Sequence, residues 1–308
     1  MMSSESCPWL AGVVPDLPSP FDSDDRIDVA AFEALCERQI AAGVTALLVG
    51  ETAGETATLS MDDHDTLVRT AVRASRGRLK VIAGIGSNDT SKAIASARDS
   101  ELSGADAVMA VVPYYNKPSQ AGIEAHFRAI ADATPLPLIL HDNPACCVVR
   151  LSEETLLKLC GHPRIIGHRD SSGDAMRAMK LRDRLPAGFK MLSGDDRTAL
   201  TFLAHGGDGL VSTVANVVPA LTIEMFEAFS RGDLAKAAML MARSSPLSDA
   251  FARDGTAPAL KYALSLHGLC SPRVRLPMVP LQSHQKAAVT EATATALIGE
   301  HRACSPAQ

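Results

Sequence analysis

Short apolar runs recur along the chain and alternate with amphipathic segments. Ala46-Leu47-Leu48-Val49 and Ala107-Val108-Met109-Ala110-Val111-Val112 are two of them. They are too short to cross a bilayer, but they suit strands buried on both faces, which points to a parallel sheet. Such runs near 11–15, 44–50, 80–85, 106–112, 137–141, 164–169, 190–193 and 208–213 predict eight strands. Amphipathic segments near 28–42, 60–76, 89–103, 120–133, 152–161, 174–184 and 196–206 predict the helices between them, each opened or closed by Asp, Ser, Thr, Gly or Pro. About three further helical segments follow the eighth strand, near 219–243, 245–267 and 284–300, with no low-complexity linker before them.

A βα period repeated in this way predicts an α/β chain folded as a (β/α)8 TIM barrel with a C-terminal helical cap. Residues 1–215 would carry the strands and the first seven helices. Residues 216–308 would supply the eighth helix and the extension, all within one domain. A doubly wound sheet also alternates strand and helix, but Gly84-Ile85-Gly86 lacks the third glycine of the dinucleotide fingerprint and reads as a tight turn.

Composition narrows the partners. The net charge is −5, with 30 Lys and Arg against 35 Asp and Glu and no basic stripe, so nucleic acid is not expected. The seven cysteines are odd in number, lack C-x-x-C spacing and suit reduced thiols in the cytoplasm. Met1 to Pro8 has neither a basic start nor a long apolar stretch, so neither a signal peptide nor a membrane contact is expected.

In a barrel, chemistry sits at the C-terminal ends of the strands. Polar residues cluster there: Glu51-Thr52-Ala53-Gly54-Glu55-Thr56 after strand two, Pro113-Tyr114-Tyr115-Asn116-Lys117-Pro118-Ser119 after strand four, and His141-Asp142-Asn143-Pro144 after strand five. Arg169-Asp170-Ser171-Ser172-Gly173 and Ser193-Gly194-Asp195-Asp196 follow strands six and seven. Two of the chain's three tyrosines are adjacent at one such end, as expected of function carried on loops held by a scaffold.

The strings Gly54-Glu55-Thr56-Ala57-Thr58-Leu59, Pro113 to Gln120, Ser193-Gly194-Asp195-Asp196 and Arg275-Leu276-Pro277-Met278 resemble, in order and spacing, the dihydrodipicolinate synthase and N-acetylneuraminate lyase family, from about residue 10 to about 300. The resemblance implies a lyase or aldolase. In that family a strand-six lysine condenses with a 2-oxo acid such as pyruvate, and a strand-five tyrosine shuttles protons. Threonines of a G-T-T-G-E motif bind the carboxylate and link the tyrosines. By match of position Thr52, Tyr114, Tyr115, Gly194 and Ser212 carry over as site residues. Tyr115 would reach a neighbouring subunit, implying a homodimer or homotetramer.

Position 169 departs from that pattern. The family's I-G-x-K-[DE]-x-[ST]-G is met by Ile166-Gly167-His168-Arg169-Asp170-Ser171-Ser172-Gly173. A Schiff base needs an amine that can lose its proton, and a guanidinium does not. His141 replaces the shuttling tyrosine, Ala53 replaces a relay threonine, and Cys146 stands where the family's synthase has a carboxylate-gripping arginine. Arg169 could hold a carboxylate on its planar fork, with His141 as general acid or base.

Other lysines do not replace the missing amine. Lys80 and Lys190 precede their strands, Lys158, Lys180 and Lys261 fall on outer or cap helices, and Lys117 reads as a solvated rim residue. Strand alternation sends His168 and Asp170 outward, and the remaining cluster lacks metal-ligand spacing, so neither a metal nor another cofactor is expected. Cys146-Cys147 reads as two small buried side chains, and Asp62-Asp63-His64-Asp65 as an acidic helix start. Two functions fit these residues. One is a lyase-like enzyme acting on a small 2-oxo or hydroxy acid through Arg169, His141 and Tyr115. The other is a catalytically silent family member that binds a carboxylate metabolite as a sensor or regulator.

Overall fold

A computed structural model describes residues 7–298, and its eight strands form one parallel sheet rolled into a barrel. They are β1 (Val13–Pro15), β2 (Ala46–Val49), β3 (Lys80–Gly84), β4 (Ala107–Val111), β5 (Leu138–Asp142), β6 (Ile165–Asp170), β7 (Lys190–Ser193) and β8 (Gly209–Ser212). Each strand from β2 onward pairs with the next, and β8 pairs with β1. A parallel bridge between Asp16 and Leu48 joins β1 to β2, reinforced where the Leu17 N–H donates to Leu48 O at 2.9 Å. All eight strands fall where the apolar runs predict them.

The helices between the strands are α1 (Val29–Ala42), α2 (Met61–Ser75), α3 (Thr90–Leu102), α4 (Gln120–Ala133), α5 (Pro144–Cys147), α6 (Glu153–Leu159), α7 (Met176–Arg182) and α8 (Ala199–Ala204). Side chains of Asp28, Ser60, Asp89, Ser119 and Ser152 cap five of them. Ser60 and Asp63 form a reciprocal capping box, so the acidic run at 62–65 does open a helix. The one-turn α5, begun by Pro144 at its first position, is not foreshadowed by any apolar period.

Among the described residues the cap holds four helices, α9 (Pro219–Ser230), α10 (Leu234–Asp254), α11 (Thr256–Ser265) and α12 (Ser283–Ala296), rather than about three. The 219–243 segment is broken at Gly232, whose φ of +81° suits glycine, and Asp233 then caps α10. Pro246, near the expected break, sits inside α10, where buried Leu240, Leu247, Ala250 and Phe251 hold the helix against the lost hydrogen bond.

Alternating residues divide the core into layers. Val14, Leu48, Met109, Ile139, Leu192 and Val211 fill the barrel, while Phe32, Leu67, Phe127 and Leu156 pack the helices onto its outside. Val13 and Leu210 share a third cluster with Leu260 and Leu264, which seats the cap on β1 and β8. Among the described residues no helix is long and apolar enough to cross a membrane. Cys304 lies outside the described residues.

Candidate active site

The β5–β6 register sets His141 directly beside Arg169 and Asp142 beside Asp170. Ile139 points into the barrel, so the two-residue period turns His141 inward as well, with Arg169 on the same face. Asp142 and Asp170 face outward, where Arg177 of α7 donates to both carboxylates, to Asp170 at 3.2 Å. This is the expected place of Asp170 behind the site. His168 also lies on the outer face, fully buried, and neither ring nitrogen has a partner among the described residues. Burial lowers its pKa to about 4, so the ring is neutral.

Arg169 is held by two carboxylates. Its Nη1 donates to Glu51 Oε2 at 3.1 Å and its Nη2 to Asp16 Oδ2 at 3.0 Å, all three side chains being buried. Its Nε–H and Asp16 Oδ1 are buried without a partner among the described residues. The fork that could grip a ligand's carboxylate is therefore occupied by the chain's own acids.

Glu51 is the hub. Its Oε1 lies 2.8 Å from His141 Nδ1, and its Oε2 accepts the Thr52 N–H and hydroxyl at 2.5 Å each. Burial pushes its carboxyl up, but His141, Arg169 and Thr52 together hold it well below the usual carboxylate range. His141 is pushed down by burial and by the neighbouring Arg169 charge, against the pull of Glu51, so it rests neutral. With Glu51 ionised, Nδ1 carries the ring proton, and the free Nε2 faces Ser171 Oγ at 2.9 Å. Asp16 is pushed up to about 7 by burial and by the Glu51 charge, against the pull of Arg169.

The other expected residues are distributed unevenly. Ala53 is buried, and its backbone N–H helps hold the Asp16 carboxyl down against burial. Gly194 lies over Arg169 and Ser171: a β-carbon there would stand 2.1 Å from Ser171 Oγ and 2.9 Å from Arg169 Nε. Ser212 is buried, donates to Asp196 at 2.5 Å and accepts the Ala215 N–H, so its hydroxyl serves the turn after β8. Tyr114 is half-buried against the sheet–helix layer, and Tyr115 stands on the rim at φ +69° with 88% of its surface exposed. Neither tyrosine shares a hydrogen bond with the His141–Arg169 cluster. Lys117 is exposed, as expected of a rim residue.

One expectation needs correction. Cys147 is buried but Cys146 is exposed, because the short α5 turns the two side chains apart. Lys261 is on a cap helix, as expected, and is fully buried there. Its Nζ pairs with Glu55, donates to Arg273 O at 2.8 Å and lies 3.8 Å from the centre of the Phe21 ring. The cap, seated on the β2 loop, covers what an isolated helix would expose.

Asp16 and Glu51 were not singled out from the sequence. The resemblance carried a signal for Glu51: with Thr52 and Gly54-Glu55 set against the G-T-T-G-E pattern, it falls at the first glycine. Asp16, a charge directly after the apolar Val13-Val14-Pro15, offers a weaker one.

Residues 9–296 match the dihydrodipicolinate synthetase family. The 4-hydroxy-tetrahydrodipicolinate synthase of Gluconobacter oxydans is 42% identical over 281 residues, covering 91% of this chain and 95% of that protein. The enzyme of the same name from Acidiphilium cryptum is 45% identical over 272 residues, covering 88% and 93%. Among solved structures, the pyruvate complex of dihydrodipicolinate synthase from Acinetobacter baumannii superposes with a TM-score of 0.90 at 33% identity, covering 93% of this chain and 99% of that one.

Proposed function

The chain belongs to the dihydrodipicolinate synthetase family, and on that premise we propose that it binds a small 2-oxo or hydroxy carboxylic acid at the C-terminal mouth of its barrel and acts on it without a Schiff base at position 169. The observation that carries this reading is the fixed cation: Arg169 lies at the inner end of β6 with both terminal nitrogens bound to Asp16 and Glu51. A guanidinium so held keeps its proton and offers no nucleophile. His141, neutral and wired to Glu51, is the group able to exchange protons with a ligand. The pyruvate held by the Acinetobacter baumannii relative supports the ligand class. The exposed Tyr115 suits a homodimer or homotetramer in which a second copy covers the rim.

Charge balance adds a condition. With Asp16 protonated, Asp16, Glu51 and Arg169 together are neutral, and with Asp16 ionised they carry one negative charge. Affinity for an anionic ligand should therefore rise as pH falls through about 7. The test is calorimetric binding of pyruvate and other 2-oxo acids, paired with borohydride trapping read by intact mass. Binding without an adduct is expected. An adduct on the wild-type protein would place the nucleophile on another lysine, and absence of binding across the panel would overturn the ligand class.

A further inference from the structure

We infer that Ser171, His141 and Glu51 form a nucleophile, base and orienting acid able to transfer the acyl group of a small ester or lactone to water. Ser171 Oγ lies 2.9 Å from His141 Nε2, and His141 Nδ1 lies 2.8 Å from Glu51 Oε1. A serine activated by an imidazole that is itself oriented by a carboxylate is recognised by this geometry, whatever the fold or chain order. Here the three come from β5, the loop after β2 and the loop after β6.

Ser171 Oγ has two acceptors within reach, His141 Nε2 at 2.9 Å and Gly194 O at 3.2 Å, and the nearer one is the imidazole. Ionised Glu51 can only accept, so His141 Nδ1 must donate to it, and Nε2 is left with a lone pair facing the serine hydroxyl. Arg169 and Thr52 occupy the other Glu51 oxygen, so the carboxylate cannot swing away from the imidazole. The burial gradient runs the right way. Glu51 and His141 are buried, whereas Ser171 is part-exposed beside the barrel mouth.

A donor for developing negative charge lies next to the nucleophile. The unpartnered Arg169 Nε–H and Ser171 Oγ both fall within 3 Å of the point where a β-carbon on Gly194 would sit, so only glycine leaves that space open. In the step assigned to these groups, Ser171 Oγ bonds to the carbonyl carbon while its proton passes to His141 Nε2. The carbon–oxygen bond to the leaving alcohol then breaks, and the alcohol takes that proton. Water attacks the acyl-serine with His141 again as base, giving the free acid and the restored serine with no redox change. The acid released is of the class proposed above for the mouth, and the inference rests on that reading only for the location of the substrate.

The experiment is labelling of the full chain with a fluorophosphonate serine probe, read by intact mass and peptide mapping, alongside release of p-nitrophenol from p-nitrophenyl acetate. One adduct on Ser171 is expected, absent in Ser171→Ala, and slowed at least roughly a hundredfold in His141→Gln. No adduct on Ser171 of the wild-type protein, or labelling at an unchanged rate in a folded His141→Gln, would overturn the assignment. Pyruvate binding to the unlabelled protein separates the two ideas. Binding without labelling removes the nucleophile alone, whereas labelling without binding removes the carboxylate reading and leaves the nucleophile standing.

Discussion

Glu51 Oε2 accepts Arg169 Nη1 at 3.1 Å inside a space closed to solvent, so the two buried charges offset each other. The two residues act as one. A buried arginine without its acids would be an uncompensated charge, and a buried glutamate at the mouth would need a cation. Asp16, directly after β1, completes the set.

This pairing governs what a lysine at position 169 would do. In Arg169→Lys the new ammonium would sit between Asp16 and Glu51, and two nearby carboxylates favour its charged form. The single substitution is therefore expected to trap pyruvate poorly under borohydride. Adding Glu51→Gly removes one carboxylate, and a fall of one unit in the amine's pKa raises its free-base fraction about tenfold. The adduct yield of the double variant should exceed that of the single one accordingly. Equal yields would show that Glu51 does not set the charge state at position 169.

The second prediction concerns Lys261 and Glu55, a buried pair that ties the cap to the β2 loop. Lys261→Met leaves the Glu55 carboxylate buried with the Arg275 N–H at 3.0 Å as its remaining donor. Breaking such a pair from one side costs about 3–5 kcal/mol, whereas replacing both partners is often close to neutral. Urea midpoints should fall sharply for Lys261→Met and recover in Lys261→Met/Glu55→Gln. A double variant no more stable than the single would mean that the charge pair itself holds the cap.

The barrel was legible because buried parallel strands write themselves as unbroken apolar runs, and no other common fold repeats that βα period eight times. His141 and Arg169 were legible for a related reason, since both end such runs. Glu51 was not, because its role depends on β2 and β6 facing each other across the barrel, a distance of 118 positions in sequence. Ser171 was hidden in the same way: its partner His141 lies 30 positions earlier on the neighbouring strand. The burial of Lys261 was not legible, because helical periodicity marks a face without saying what will cover it.

Gly194 offers a third test. An added methyl would stand 2.1 Å from Ser171 Oγ and 3.0 Å from Arg169 Cγ, and neither can withdraw without losing a buried contact. Gly194→Ala is expected to lower stability by about 1–3 kcal/mol, in the range of overpacking. It should also push Ser171 away from His141 and abolish labelling of the serine. Unchanged stability together with unchanged labelling would mean that the loop after β7 yields freely.

The last prediction turns on His168, whose buried ring has no hydrogen-bond partner among the described residues. Burial lowers its pKa to about 4, from 6.5 in the unfolded chain. Between those values the unfolded state holds the proton and the folded state does not, so stability falls as pH drops from about 6.5 toward 4, by up to about 1.4 kcal/mol per pH unit. His126, lowered to about 4, adds a slope of the same sign. Asp16, raised to about 7, adds one of opposite sign between its unfolded value of 3.8 and 7. The wild-type curve is thus a composite, and comparison with His168→Leu isolates one component. Any packing difference introduced by the leucine is independent of pH, whereas the histidine's proton is not. The stability of His168→Leu relative to wild type, from urea midpoints across this range, should be flat above about 6.5 and climb steadily as the pH falls. A gap that stays constant would place a proton-accepting partner against His168 and raise its folded pKa back toward the ordinary histidine range.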